Sequence, residues 1–220
     1  VIPPEGNADF VAAMEKVLDV YRRPYDASRP VVCMDETPRQ LIRETKMPMP
    51  ALPGRPERHD YEYERCGVCN VFMACEPLAG KRMTKVTERK TRSDWARFLQ
   101  DIAGRYGGAE KITLVMDNLS THTPGALYGA FAPAEAKALW ERFEFVYTPK
   151  HGSWLNMAEI ELNVMIRQCL SRRVSTVQEL AGSVLAWQSH RDQLRAKVNW
   201  QFTTEDARIK LKRLYPTLLE

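Results

Sequence analysis

Lys111-Ile112-Thr113-Leu114-Val115-Met116-Asp117 is a short apolar run closed by an acid. A run of this length, bounded by polar residues, reads as a strand buried on both faces, the habit of parallel strands covered by helices. Pro30-Val31-Val32-Cys33-Met34-Asp35 repeats the pattern, and Phe143 to Tyr147 supplies a third buried strand. Between the first two, Tyr61 to Cys75 and Lys81 to Glu88 flank Glu76-Pro77-Leu78-Ala79-Gly80 and read as antiparallel strands joined by a turn. The prolines 38, 48, 50, 53 and 56 predict a long exposed connection over residues 37–60.

Helical periodicity fills the remaining intervals. Asn7 or Asp9 caps a leading helix bearing Phe10, Val11, Met14, Val17, Leu18 and Tyr21, which ends before Pro24. Ser93 caps another that carries Trp95, Phe98, Leu99, Ile102 and Tyr106 and stops at Gly107-Gly108. A helical region from about Pro124 to Arg142 is interrupted at Pro133, and a further helix runs from Trp154 to about Ser171. Ser175 with Gln178, and Thr203 with Asp206, have the spacing of capping boxes for two more. This order predicts an α/β fold, a mixed five-stranded sheet with helices on both faces. The predicted organisation is a linker and leading helix over 1–29, a sheet-containing core over 30–174 and a C-terminal helical extension over 175–220.

Composition narrows the function classes. With 220 residues, 44% hydrophobic and 27% charged, the chain is long enough to bury a sizeable core without disulfide or metal staples. The mean hydropathy is −0.42, and no apolar stretch approaches the roughly 18 to 20 residues of a membrane span. Five cysteines, an odd number, suit a reducing compartment better than a disulfide framework, and a cytoplasmic location is expected. The opening at Val1 with Pro3-Pro4 reads as a linker with a further N-terminal piece ahead of it.

The net charge of +4 says little by itself, but local runs are more informative. From Lys81 to Arg92, the cations Lys81, Arg82, Lys85, Arg89, Lys90 and Arg92 face the single acid Glu88, and Arg208, Lys210, Lys212 and Arg213 form a second run. Either can be a solvated face, and either can bind a polyanion through its phosphates without reading sequence.

The chemistry centres on carboxylates. Ligands of open α/β sheets bind beyond the carboxyl ends of strands, where Asp35 and Asp117 are expected to lie, followed by the polar Glu36 and Asn118. An aspartate there also caps turns, but two of them repel unless a hard cation lies between. On the helix after His151, Glu159 falls within about 60° of Leu155, Leu162, Ile166 and Leu170 on the helical wheel and is expected to point inward. Glu161, about 200° from it, is expected to face solvent. Three converging carboxylates can hold two divalent ions roughly 3.5 to 4 Å apart that clamp an in-line phosphoryl displacement.

Three blocks carry a family resemblance: Val31 to Glu36, Val115 to His122, and Tyr147-Thr148-Pro149-Lys150-His151-Gly152-Ser153-Trp154-Leu155-Asn156-Met157-Ala158-Glu159. Together they resemble the DDE catalytic domain of mariner-related bacterial insertion-sequence transposases, and the Leu-Asn-x-x-Glu register places that family's third acid at Glu159. The resemblance implies an RNase H-like fold and Asp35, Asp117 and Glu159 as catalytic metal ligands. It also implies two Mg²⁺ or Mn²⁺ ions, hydrolysis at transposon ends, and attack of the freed 3′-hydroxyl on target DNA. The implied partners are terminal inverted repeats and target DNA, handled by a homodimer on paired ends, with no membrane and a bacterial, nucleoid-associated setting. Expected DNA contacts are Lys150, His151, His122 and Asn118 beside the acids, and Lys85, Arg89, Lys90 and Arg92 in the basic run. Rival readings are an RNase H-like nuclease without strand transfer and a domesticated, non-catalytic DNA-binding protein. Cys66-Gly67-Val68-Cys69 has redox or zinc spacing but lies in a strand-like run, which favours inert, buried thiols. Trp154, at the start of an apolar helix, is expected in the core.

Overall fold

A computed structural model describes residues 7–216, so the Pro3-Pro4 stretch lies outside the described residues. Five strands, β1 (Val31–Glu44), β2 (Tyr63–Glu76), β3 (Lys81–Thr87), β4 (Ile112–Met116) and β5 (Phe143–Tyr147), form one sheet in the order β3-β2-β1-β4-β5. The first three are antiparallel neighbours, whereas β1, β4 and β5 run parallel. The helices are α1 (Ala8–Tyr21), α2 (Arg92–Arg105), α3 (Pro124–Tyr128), α4 (Pro133–Glu141), α5 (Met157–Cys169), α6 (Val177–Gln193) and α7 (Thr204–Lys210).

Alternation along the strands divides the core into two layers. Val32 and Met34 of β1 and Leu114 and Met116 of β4 face α2, α3 and α4, burying Trp95, Phe98 and Leu99. Cys33 and Val115 point the other way, toward α1, α5 and α7, with Met14, Leu18 and Ala207. A third cluster joins Val71 and Met73 of β2 to Leu162 and Met165 of α5 and to Leu180 and Val184 of α6. Helix α6 therefore packs with β2 and α5, and α7 with α1. Among the described residues, no helix is long and apolar enough to cross a membrane.

Several sequence expectations need correction. The first strand does not end at Asp35: β1 continues to Glu44, paired with β2, so the exposed connection covers residues 45–62. Pro38 is tolerated because the parallel ladder with β4 stops at Cys33↔Val115, leaving β1 with a free edge, where strands accept proline. The cap of α2 is Thr91, in a reciprocal box with Asp94, and not Ser93, which falls inside the first turn. Likewise α6 is capped by Thr176 with Glu179, one residue beyond the Ser175 reading. The helix expected from Trp154 is split: Ser153–Leu155 form a 3₁₀ turn, and Asn156 then caps α5. The box of Thr203 and Asp206 at α7 is present as read.

Candidate active site

The parallel register sets the site. Asp35 and Asp117 each lie two residues beyond the paired Cys33 and Val115, so they stand side by side on adjacent chains, about 4.8 Å being the usual strand spacing. Both continue the parity that faces α5. Helix α5 begins over this point because Asn156 bridges the two layers. Its Oδ1 accepts the Ala158 N–H at 3.1 Å, while its Nδ2 donates to the Met34 carbonyl at 2.8 Å and lies 3.4 Å from Asp35 Oδ2. Glu159, three residues on, sits half-buried in the first turn of α5.

The electrostatics are those of crowded acids. Burial pushes the Asp35 carboxyl up to about 7, with the Asp117, Glu36 and Glu159 carboxylates adding to the rise against a hydrogen bond from the Glu36 N–H. Glu36 points to the opposite face and is 3% exposed, with His122 Nε2 at 3.5 Å and Lys90 Nζ at 3.6 Å. The His122 ring is stacked on Trp95 at 5.3 Å, and its Nδ1 lies 2.7 Å from Asp117 Oδ1. Burial works against charging this ring, but Asp117 and Glu36 outweigh it and raise His122 to about 9, so it is an imidazolium at neutral pH.

These features fit a divalent cation. The groups crowding Asp35 from the α5 side, Asp117 and Glu159, are hard carboxylate oxygens whose mutual repulsion a cation would relieve. Among the described residues no three His, Cys, Asp or Glu side chains stand close enough to enclose one ion, so the cluster is open. Beside it, a groove of about 390 Å³ is lined by Asp117, Asn118, Lys150, His151 and Ser153. Its rim is a tight loop: His151 takes φ +65°, and a Cβ on Gly152 would stand 2.5 Å from the Pro149 ring.

The residues expected at a DNA surface divide. Asn118, Lys150 and His151 are exposed and share the groove with Asp117. Arg89 and Lys90 are exposed on the connection between β3 and α2, where Lys90 approaches Glu36, and Arg92 is exposed as the first residue of α2. Lys85 points to the α2 face, 2.6 Å from Asp101. His122 requires correction: its side chain is 1% exposed and enclosed by Trp95, Asp117 and Glu36, so it cannot reach a phosphate. Arg208 and Lys210 of the C-terminal run are paired with Glu15 and Asp206.

A second correction concerns Glu161, which is 1% exposed rather than solvated. The wheel argument counted Leu155 with the helix, whereas Asn156 interrupts it. The buried stripe of α5 itself is Ala158, Leu162 and Met165, with Glu161 inside it and Glu159 on its flank. Sequence reasoning also missed Asn156 and the burial of Glu36. The first had a signal, since Asn followed by Glu three residues later is a helix-start pattern. The five cysteines form no disulfide, and Cys69 lies buried inside β2, where no helix starts. Trp154 is partly buried, edge-on to Phe202.

A sequence model of the family described as DDE superfamily endonuclease matches residues 30–181. No curated protein matches the chain. Among solved structures, the fold is similar to the Mos1 transposase paired-end complex with left transposon end, at TM-score 0.59 and 14% identity, covering 89% of this chain and 60% of that one. It is also similar to the Mos1 Strand Transfer Complex, at 0.60 and 14%, covering 89% and 59%. The mariner Mos1 paired end complex with Mg gives 0.57 and 12%, covering 99% and 66%. The chain thus spans about three-fifths of the length of the first of these proteins, and at these identities the likeness establishes the fold, which is RNase H-like.

Proposed function

Because the chain belongs to the DDE superfamily endonucleases, we propose that it is the catalytic domain of a mariner-related DNA transposase, cutting at transposon ends and joining the 3′-hydroxyl to target DNA. The observation that carries this reading is the juxtaposition of Asp35 and Asp117 just past the end of the parallel pairing between β1 and β4, beneath the first turn of α5 bearing Glu159.

In this reading Asp35, Asp117 and Glu159 are the catalytic acids and hold two Mg²⁺ or Mn²⁺ ions. Bound there, such ions supply charge neutralisation at the scissile phosphate and a lowered pKa for the attacking hydroxyl. Asn156 orients Asp35 through its amide, and His122 holds the Asp117 carboxylate from behind. Lys150, His151 and Asn118 lie along the groove, where they contact the DNA backbone near the cut, and Arg89, Lys90 and Arg92 extend that track. The partners are terminal inverted repeats and target DNA, held by a homodimer on paired ends in the bacterial cytoplasm, at the nucleoid.

The test is Mn²⁺- or Mg²⁺-dependent nicking of supercoiled DNA, beside Asp35→Asn, Asp117→Asn and Glu159→Gln. Each variant is expected to lose activity by more than about 100-fold while remaining folded. Pre-cut transposon-end duplexes with a free 3′-hydroxyl should then join to plasmid. Nicking without joining would instead identify a nuclease, and wild-type activity in folded Glu159→Gln would remove that residue from the site.

A further inference from the structure

Helix α5 is pinned at a second point that the catalytic reading does not use. The Glu161 carboxylate receives two hydrogen bonds from Arg82 of β3, Nε at 2.7 Å and Nη2 at 2.9 Å, and another from Arg191 Nη2 of α6 at 2.9 Å. Arg82 also donates to the carbonyls of Gly80 and Ala196 and lies 3.7 Å from Asp192 Oδ1. The Arg82 side chain is 2% exposed and Glu161 1%, so the pair is dry.

A dry ion pair is a poor source of stability, since a well-packed apolar trio of similar volume holds a fold as well or better. What a bidentate guanidinium adds is direction. Arg82, Cys75 and Cys33 form one row across the sheet, and Asp35 lies two residues further along β1 on the same face. Helix α5 crosses that face with Asn156 tied to β1 at one end and Glu161 tied to β3 further along. Glu159 lies about 200° around the helix from Glu161, so the angle at which Arg82 holds Glu161 sets where Glu159 points.

We propose that Glu161, gripped by Arg82 and Arg191, is a positioning residue that sets the rotation of α5 about its axis so that Glu159 faces Asp35 and Asp117. The inference rests on the reading of Glu159 as the third acid. It makes α6 part of the catalytic unit, because Arg191 reaches the catalytic helix from beyond the last of the three blocks that carry the resemblance.

Glu161→Gln and Arg191→Ala test it, the second because removing one of two arginines leaves the fold the better chance. Leu139→Ala, a buried α4 position on the opposite face of the sheet from α5, serves as a control for general destabilisation. At a temperature where circular dichroism shows every protein folded, both network variants should lower kcat for Mn²⁺-dependent nicking by about 10-fold or more, with KM for DNA unchanged. Both should also weaken Mn²⁺ binding in calorimetry, while Leu139→Ala alters neither. Wild-type kcat and Mn²⁺ affinity in the folded network variants would overturn the proposal, as would equal losses in Leu139→Ala. A crystal structure of Arg191→Ala decides the matter separately from activity: α5 rotated, with Glu159 turned from Asp35, supports it, and α5 unmoved overturns it. If the wild type neither nicks nor binds Mn²⁺, the reading of the site fails, and that structure still judges the rotation.

Discussion

Burial, with Asp117, Glu36 and Glu159 close by, raises Asp35 to about 7, and this makes the metal-free protein pH-sensitive in a definite direction. Between roughly pH 4 and 7 the unfolded chain ionises this carboxyl while the folded protein keeps it protonated, so folding takes up a proton. Stability conferred by that proton is fully present below about pH 4 and is lost as pH rises through 7, by roughly 4 kcal/mol at most. In EDTA, Asp35→Asn is therefore expected to melt higher than wild type at pH 8 and to show a flatter dependence of Tm on pH. Mn²⁺ should raise the wild-type Tm more at pH 8 than at pH 5.5, because ions bind the deprotonated acid. Parallel Tm profiles for the two proteins in EDTA would contradict this account. His122 illustrates why residue type alone misleads: a histidine beside an acid in a loop reads as a phosphate contact, yet Trp95 and two carboxylates enclose it.

At the scale of elements, the junction of the β5 loop with α5 concentrates several demands on one side chain. Asn156 is 1% exposed, caps α5 and donates to the Met34 carbonyl. Asn156→Ala removes the cap, about 1 kcal/mol, and leaves a buried carbonyl without its donor, a further 1 to 3 kcal/mol or so. Asn156→Asp keeps the cap but replaces the donor with a second negative charge beside Asp35, and should be the less stable of the two above pH 7. Chemical denaturation of both variants checks the order. The turn between β2 and β3 makes a comparable demand on Gly80, at φ +67°, where an added Cβ would lie 2.6 Å from the Arg195 backbone. Gly80→Ala is expected to cost about 1 to 3 kcal/mol, read as a lower denaturation midpoint at unchanged slope. An unchanged midpoint would mean that the turn and residue 195 separate freely.

For the whole molecule, the important feature is that one sheet carries two kinds of edge. The parallel half, β1, β4 and β5, brings acids to the same end, while the antiparallel half, β1, β2 and β3, extends past the site and supplies Arg82 to the helix above it. Helix α6 closes over this half and adds Arg191, and α1 and α7 complete the other layer. One cluster, containing Leu162, Met165, Leu180 and Val184, spans residue 174 and ties α6 to α5.

Periodicity and punctuation by themselves determined the order of strands and helices, the bounds of β5, the break at Pro133 and the capping box at Thr203. They also located the two aspartates, because a strand flanked by parallel neighbours is continuously apolar and its first acid follows the end of that pairing. The length of β1 was not legible, since whether proline can stay in a strand depends on whether a neighbour runs beside it, and β4 is 70 or more residues away in sequence. Nor was the direction of Glu159 against Glu161. A helical wheel gives the angle between two residues but not the rotation of the helix as a whole. That rotation is decided in three dimensions, by an arginine 79 residues earlier in the chain and by the sheet that carries it.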